Sequence, residues 1–398
     1  MKLAQDVHLS YCSNIHAGES WSEVRANLER HTLAVRDRLR PGEPFGLGLR
    51  LSALAVDALA EPAALAECRQ FLHRQGLYVF TINAFPYGPF HGVPVKDKVY
   101  LPDWRDPERL RYTNRAAEVL AQLLPDTVAE GSVSSVPGAY KPALGGAADV
   151  DRMVDHLLQH VAHLVALNQR SGRRIALALE PEPDCFLATL DEVLAFFGSR
   201  LHTPQAAHRV AALSGLSVAA AAQALRQHLG LCLDLCHAAV EFEDVDDLIV
   251  RLRDAGIRVP KVQLSAGLRV PALDPPALAA LQRFVDPVYL HQVVQRGPAG
   301  LRRFPDLPDA LAAAGAGDAQ QEWRVHFHVP LFLSVLENFV STQAFVRDFL
   351  ARQREHAVST HLEVETYTWD VLPAAYRSGP IDEAIARELD WVRGELAA

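Results

Sequence analysis

The sequence has no apolar run approaching the ~20 residues of a membrane span, and its first residues, Met1-Lys2-Leu3-Ala4-Gln5-Asp6, lack the apolar stretch of a signal peptide. Cysteine is scarce. Cys12, Cys68, Cys185, Cys232 and Cys236 are an odd set without CxxC spacing, which argues against a disulfide framework and against a structural zinc held by clustered thiolates. A cytoplasmic protein is the expectation. No excess of positive charge exists either: 39 Lys and Arg against 48 Asp and Glu leave a net charge of −9, which gives no footprint for nucleic acid. With 49% apolar and 22% charged residues the chain is compatible with a large buried core and carries no disordered tail.

Within those bounds, short β-like runs alternate with longer helix-like ones. Strands are predicted near 7–12, 45–51, 77–83, 126–132, 174–180, 230–236, 260–265 and 360–366. Eight such strands with helices between them predict a TIM (β/α)8 barrel, one α/β domain over 1–398, a length that barrels reach with insertions. The intervening segments carry apolar stripes of period 3.6, such as Ala116, Val119, Leu120 and Leu123, or Val154, Leu157, Leu158 and Val161. Residues 203–229 predict an extra helix pair before the sixth strand. The rhythm breaks for longest between the last two strands, where 288–297 and 322–333 both alternate like strands around a low-complexity loop at 309–320. They predict a β-hairpin arm over 286–333, in the seventh strand-to-helix loop, on the active-site side of a barrel.

Parity along the strands then separates two faces, because alternate residues of a barrel strand point into the lumen. Ala176, Ala178 and Glu180 oppose Ile175, Leu177 and Leu179; Cys232, Asp234 and Cys236 oppose Leu231, Leu233 and Leu235. Lys261, Gln263 and Ser265 oppose Val262 and Leu264, while His361, Glu363 and Glu365 oppose Leu362 and Val364. The first three strands add Ser10, Cys12 and Asn14, then Gly46, Gly48 and Arg50, then Thr81 and Asn83. Barrel lumens are mostly packed with branched apolar side chains, so one this polar reads as a site.

Glu180, Asp234 and Glu365 each end a strand among apolar neighbours, where an uncompensated carboxylate costs several kcal/mol. Oxygen from Glu and Asp with nitrogen from His suits a divalent metal ion, Mn²⁺, Mg²⁺, Co²⁺ or Zn²⁺. The bland alternative for Glu180 is an ion pair with an arginine, and Glu182, after the rigid Pro181, could take its place. His237 follows Asp234 by three residues and can turn back to the same centre. His326 and His328 share one face of the arm, able to hold a cation or a substrate phosphate, or else merely to edge a strand. Candidates for substrate contact are His16, Asn14, Asn83, His91, Glu182, Lys261 and Glu363. His16 lies in a loop where the alternative is a helix start at Glu19 or Ser20.

The Glu on strand five, the Asp-x-x-His after strand six, the polar residue on strand seven and the Glu ending strand eight resemble the xylose-isomerase-like barrel superfamily. That superfamily includes sugar isomerases, keto-sugar epimerases and endonuclease-IV-type phosphodiesterases. The segments YCSNIHAGESW (11–21) and LEVETYTWDVLP (362–373) further resemble the EboE family, barrel proteins of a bacterial and algal gene cluster linked to metabolite traffic. The resemblance implies a divalent metal held by Glu180, Asp234, a strand-seven residue and Glu365, with Glu180 and Glu365 as an acid–base pair. At strand seven many relatives carry a metal-binding His, whereas Gln263 stands here, so His237 or the His326 and His328 pair is expected to complete the sphere.

The leading expectation is therefore a metal-dependent isomerase or epimerase acting on a sugar, sugar phosphate or cyclitol. A metal-dependent phosphoester hydrolase is the alternative, with a non-catalytic metabolite-binding carrier as the third reading. The expected partner is a small polar metabolite, with no nucleic acid, no membrane span and room for a homo-oligomer.

Overall fold

Each predicted strand buries one apolar row against helices, and this two-layer arrangement closes the sheet on itself. The computed structural model describes residues 1–315, 320–377 and 379–398. Seven parallel strands come first: β1 (His8–Tyr11), β2 (Phe45–Arg50), β3 (Leu77–Asn83), β4 (Glu130–Ser135), β5 (Arg174–Leu179), β6 (Leu229–Asp234) and β7 (Arg258–Leu264). An insertion follows, with β8 (Ala266–Val270), β9 (Val293–Gly297), β10 (Gly300–Phe304), β11 (Glu322–Val329), β12 (Val335–Leu336) and β13 (Phe339–Ser341). The chain then returns to the barrel as β14 (His361–Val364).

The barrel order is β1-β14-β7-β6-β5-β4-β3-β2. β1 and β2 complete the circle through a parallel bridge between Cys12 and Gly48 and through the Ser10 hydroxyl, which donates to the Gly46 carbonyl at 2.7 Å. The outward rows, such as Ile175, Leu177 and Leu179, pack in the main core with Leu157, Val161 and Leu120 of the surrounding helices. The helix pair before the sixth strand is present as Pro204–Ser214 and Val218–His228, each capped by a side chain, Thr203 and Ser217. Ser20 caps Trp21–Asn27 in a reciprocal box with Glu23. Among the described residues no helix is long and apolar enough to cross a membrane.

Three boundaries differ from the sequence reading. The fourth strand starts at Glu130 and not at Asp126, because Pro125 opens a turn closed by the Val128 N–H on the Pro125 carbonyl. The sixth strand stops at Asp234 because that side chain caps a new helix, Leu235–Val240, so Cys236 belongs to a helix and not to the lumen row. The insertion is larger than a hairpin arm over 286–333. It begins at Ala266 and builds a six-stranded sheet ordered β10-β9-β11-β8-β13-β12. The 288–297 and 322–333 segments do pair antiparallel, with Val293 opposite Val325, but β11 also lies against β8, and the turn partner of β9 is β10. Part of the 309–320 loop is helix, since Asp306 caps Leu307–Ala313; positions 316–319 lie outside the described residues.

Only Ser265 separates β7 from β8, so the second sheet grows directly from a barrel strand and carries the end of β11 over the C-terminal mouth of the barrel. A bulge between Val325 and Val329 breaks the ladder with β8 there. Phe327 packs into the core with Phe284, and His326 and His328 face the barrel acids.

Candidate metal centre and its cleft

The acids that end β5, β6 and β14 meet. One ligand oxygen from each of Glu180, Asp234 and Glu365 lies within 4.8 Å of the others, in a fully buried cluster. Opposed ligands of an octahedral Mg²⁺ stand about 4.2 Å apart, so the cluster is of cation-holding size.

Asp234 and Glu365 each have one oxygen fixed by hydrogen bonds, and Asp234 and Glu180 each keep a buried oxygen without a partner. Asp234 Oδ1 accepts from the His237 backbone N–H at 3.0 Å and from the Ser265 hydroxyl at 2.7 Å, whereas Oδ2 has no hydrogen-bond partner. Glu365 Oε1 accepts from the amides of Asn14 at 2.7 Å, Gln263 at 3.1 Å and Asn83 at 3.2 Å. Glu180 Oε2 is buried and unpartnered, as is the Gln263 carbonyl oxygen. Burial, with the Asp234 charge beside it, lifts the Glu180 pKa to about 8. Burial and then Glu180 and Asp234 push Glu365 far up as well. For Asp234, burial acts upward too, but His237, His328 and its two hydrogen bonds outweigh it and hold the group below the usual range.

Three imidazoles adjoin this cluster, and each is held by its Nδ1. His237 Nδ1 lies 2.8 Å from the Pro181 carbonyl, His326 Nδ1 2.7 Å from the Gln292 side-chain oxygen, and His328 Nδ1 2.9 Å from the Glu365 carbonyl. An acceptor at Nδ1 puts the proton there and leaves Nε2 as a lone pair, the usual way a protein presents histidine to a metal. His328 Nε2 has no partner and stands 3.9 Å from Asp234 Oδ2. His237 Nε2 and His326 Nε2 face each other at 3.0 Å. Two lone pairs at that distance need something positive between them. In the metal-free protein a proton serves: burial pulls His237 down, but Asp234, Glu182 and Glu180 reverse this and leave its pKa raised. Burial, with His237 and His328 beside it, drives His326 well below the usual value.

The donor set therefore fits divalent metal. Glu180, Asp234 and Glu365, with the unpaired Gln263 carbonyl oxygen, would hold one ion by oxygen; His237 and His328 form an adjoining set that shares Asp234, and His326 groups with His237 and Glu182. Each of these sequence candidates reaches the centre, with Asn14 and Asn83 as amide donors to Glu365. Glu182 accepts from the Tyr100 hydroxyl at 2.7 Å beside His326.

Other candidates lie elsewhere. Lys261 and Glu363 are consumed by each other, Nζ to Oε2 at 2.6 Å with both side chains fully buried, and neither lines the cleft. His16 also lies off the cleft: it stacks on His31 with centroids 4.3 Å apart and meets the Tyr11 hydroxyl. His91 sits against the Phe90 ring, outside the lining, and its pKa is depressed to about 4 by burial and Arg50. His291 braces β11, bridging the His326 carbonyl and Asp286. Sequence reasoning did not assign Tyr100, Gln292 or Tyr367 to the site. Gln292 alone gave a signal, a polar residue beside apolar Val293 in a strand-like run.

A cleft opens above the centre. Its floor is Asn14, Asn83, Glu180, Glu182, His237 and Glu365; its walls are Phe85, Phe90, Val95, Tyr100, Tyr289 and Tyr367.

No protein-family model matches the sequence, and no curated protein matches it. Solved structures do match. A xylose isomerase-like TIM barrel protein from Mycobacterium smegmatis, in complex with magnesium, superposes with a TM-score of 0.51 at 12% identity, covering 100% of this chain and 98% of that one. The fold is a xylose-isomerase-like TIM barrel. A xylose isomerase domain protein from Planctomyces limnophilus gives 0.47 at 12% identity, over 91% of each chain. One from Alicyclobacillus acidocaldarius gives 0.44 at 13% identity over 98% of each chain.

Proposed function

We propose that this xylose-isomerase-like barrel is a metal-dependent isomerase or epimerase acting on a small polyhydroxy carbonyl compound, of the class of sugars, sugar phosphates and cyclitols. One observation carries the reading: Glu180 after β5 and Glu365 after β14, with β6 and β7 between those strands, both reach the cleft and one carboxylate cluster that includes Asp234, each with a raised pKa. A divalent ion held by Glu180, Asp234, Glu365 and Gln263 would supply Lewis acidity and a docking point for vicinal oxygens.

The remaining work falls to the chain. A carboxylate with elevated basicity removes a proton from the carbon beside a carbonyl, and a second one opposite returns a proton to the same or the adjacent carbon. Glu180 and Glu365 approach the cluster from separate strands, and the three amides on Glu365 Oε1 leave its other oxygen to move the proton. Burial of the floor excludes bulk water, which would otherwise exchange the proton. The likeness of 11–21 and 362–373 to the EboE family supports a substrate drawn from a metabolite pathway.

The imidazoles support a second reading. Asp234 with His237 and His328, and Glu182 with His237 and His326, form further ligand sets beside the carboxylates, as a hydrolase of phosphoesters using two or more metals requires. Metal content separates the two. Elemental analysis of the purified protein should give one tightly held divalent ion per chain for isomerisation, and two or more for hydrolysis. Turnover of a hydroxycarbonyl panel, followed by solvent deuterium entering the substrate, should vanish in Glu365→Gln with the metal retained. A metal-free protein, or undiminished exchange in that variant, overturns the first reading.

A further inference from the structure

Resting on that reading, the cleft also constrains the substrate's far end. Three aromatic rings form the roof: Phe90 from the loop after β3, Tyr289 from the insertion and Tyr367 after β14. Their centroids stand 5.1 Å (Phe90 to Tyr289), 5.4 Å (Phe90 to Tyr367) and 5.0 Å (Tyr289 to Tyr367) apart. They make a small apolar cluster of their own, separate from the main core, with Val95 and Val99.

Positive charge is already spent there. Lys96 is the one lysine or arginine lining the cleft among the described residues. Its ammonium donates to the Asp286 carbonyl at 3.0 Å, the Tyr289 carbonyl at 2.7 Å and Asp306 Oδ2 at 2.6 Å, which uses all three of its hydrogens. Deeper in the barrel, Lys261 is paired with Glu363 and donates to the Ser134 hydroxyl. A phosphate or carboxylate held away from the floor would thus be desolvated against aromatic walls with no free cation to meet it, and an acidic floor behind. A ring or alkyl group fits the same walls favourably by stacking and burial.

We propose that the ligand is an uncharged polyhydroxy or hydroxycarbonyl compound bearing an apolar or aromatic substituent. Its vicinal oxygens sit on the acidic floor and its substituent against Phe90, Tyr289 and Tyr367. Sugar phosphates are excluded as the preferred class.

The test uses three probes that share one hydroxyketone and differ in the group beyond it: 2-hydroxyacetophenone, dihydroxyacetone and dihydroxyacetone phosphate. Equilibrium dialysis against Mg²⁺-loaded protein should show 2-hydroxyacetophenone binding about ten-fold tighter than either other probe. Phe90→Ala should erase that preference, and Phe90→Leu, which keeps an apolar side chain and removes the ring, should reduce it. Equal or tighter binding of the phosphate, or no binding of 2-hydroxyacetophenone, overturns the proposal, as does a preference unchanged in both variants. A protein that keeps no metal yet prefers the aryl probe refutes the metal reading and leaves this one standing. A metal-bound protein that prefers the phosphate does the reverse.

Discussion

Stripping the divalent ion should make this protein lose stability as pH rises from about 7 to 8. A carboxyl whose folded pKa lies above its unfolded value keeps its proton in the fold between the two, so stability falls through that interval by ~1.4 kcal/mol per pH unit. Glu180 spans from the ordinary 4.5 to about 8, because burial and Asp234 disfavour its charge. Glu365 shifts the same way, and His237, raised above 6.5, adds to the fall. Buried histidines act oppositely: His328 at about 4 and His361 at about 3, with others lowered by burial such as His326 and His160, make stability rise with pH, a rise half over at their unfolded value of 6.5 and nearly complete by about 7.5. Toward pH 8 the falling groups, the carboxyls and His237, prevail. Glu180 contributes a loss of ~1 kcal/mol between pH 7 and 8, and Glu365 acts in the same direction. A bound divalent ion should reverse the slope, since it competes with those protons and stabilises the fold by ~2.7 kcal/mol at a hundred times its Kd. Urea unfolding followed by far-ultraviolet circular dichroism, at pH 7, 7.5 and 8 with chelator and then with Mg²⁺, reads both effects. Glu180→Gln should flatten the metal-free slope. A metal-free midpoint that is constant or rising over this window, or an undiminished slope in Glu180→Gln, would refute the account of the buried acids.

Three more outcomes follow from particular contacts. Gly48→Ala would put a Cβ 1.6 Å from Glu363 Oε1, so the urea midpoint should drop by the equivalent of ~2–3 kcal/mol, and an unchanged midpoint would disprove the packing of that carboxylate. Lys261→Met leaves Glu363 buried and unpaired, at a cost of ~3–5 kcal/mol that Lys261→Met with Glu363→Leu should largely recover; no recovery would mean that the pair is not the source of the loss. His326→Ala removes one nitrogen from the imidazole set and leaves Glu180, Asp234 and Glu365 intact. Elemental analysis should show the carboxylate-held ion retained and any second equivalent lost, and loss of all metal would show that the two sets are one site.

The barrel and the acid cluster were legible because burial makes charge conspicuous. Asp234 between Leu233 and Leu235, or Glu180 after Leu179, has no cheap explanation on an apolar strand, and period-two alternation says which face each takes. The second sheet was not legible in full. Ala266-Gly267-Leu268-Arg269-Val270 follows β7 after one serine, with no proline or turn pair to mark a new strand, and β11 finds its place between β8 and β9 through pairings 26 to 63 residues apart. The roof was hidden for the same reason: Phe90, Tyr289 and Tyr367 share no sequence window, and each alone reads as an ordinary buried aromatic. His16 misled because a histidine beyond a strand end has the same local sequence whether it faces the cleft or stacks on a helix, as it does on His31.

Gln263 bears on how the charge of the buried acids is balanced. A histidine on β7 could bring its own proton to Glu365; a glutamine cannot. Its amide joins those of Asn14 and Asn83 on Glu365 Oε1, so that oxygen is satisfied by three neutral donors and no charge is cancelled. Lys261, the nearest buried cation, is already neutralised by Glu363. The imidazoles give their Nδ1 hydrogens to carbonyl oxygens and turn lone pairs inward. Every protein-borne way of balancing Glu180, Asp234 and Glu365 is thus spent elsewhere, except protonation, and the raised pKa values of Glu180 and Glu365 are that remedy at work. A divalent ion accomplishes the same balance without removing the bases that proton transfer requires, which is why the glutamine at 263 strengthens the case for metal where its identity alone had seemed to weaken it.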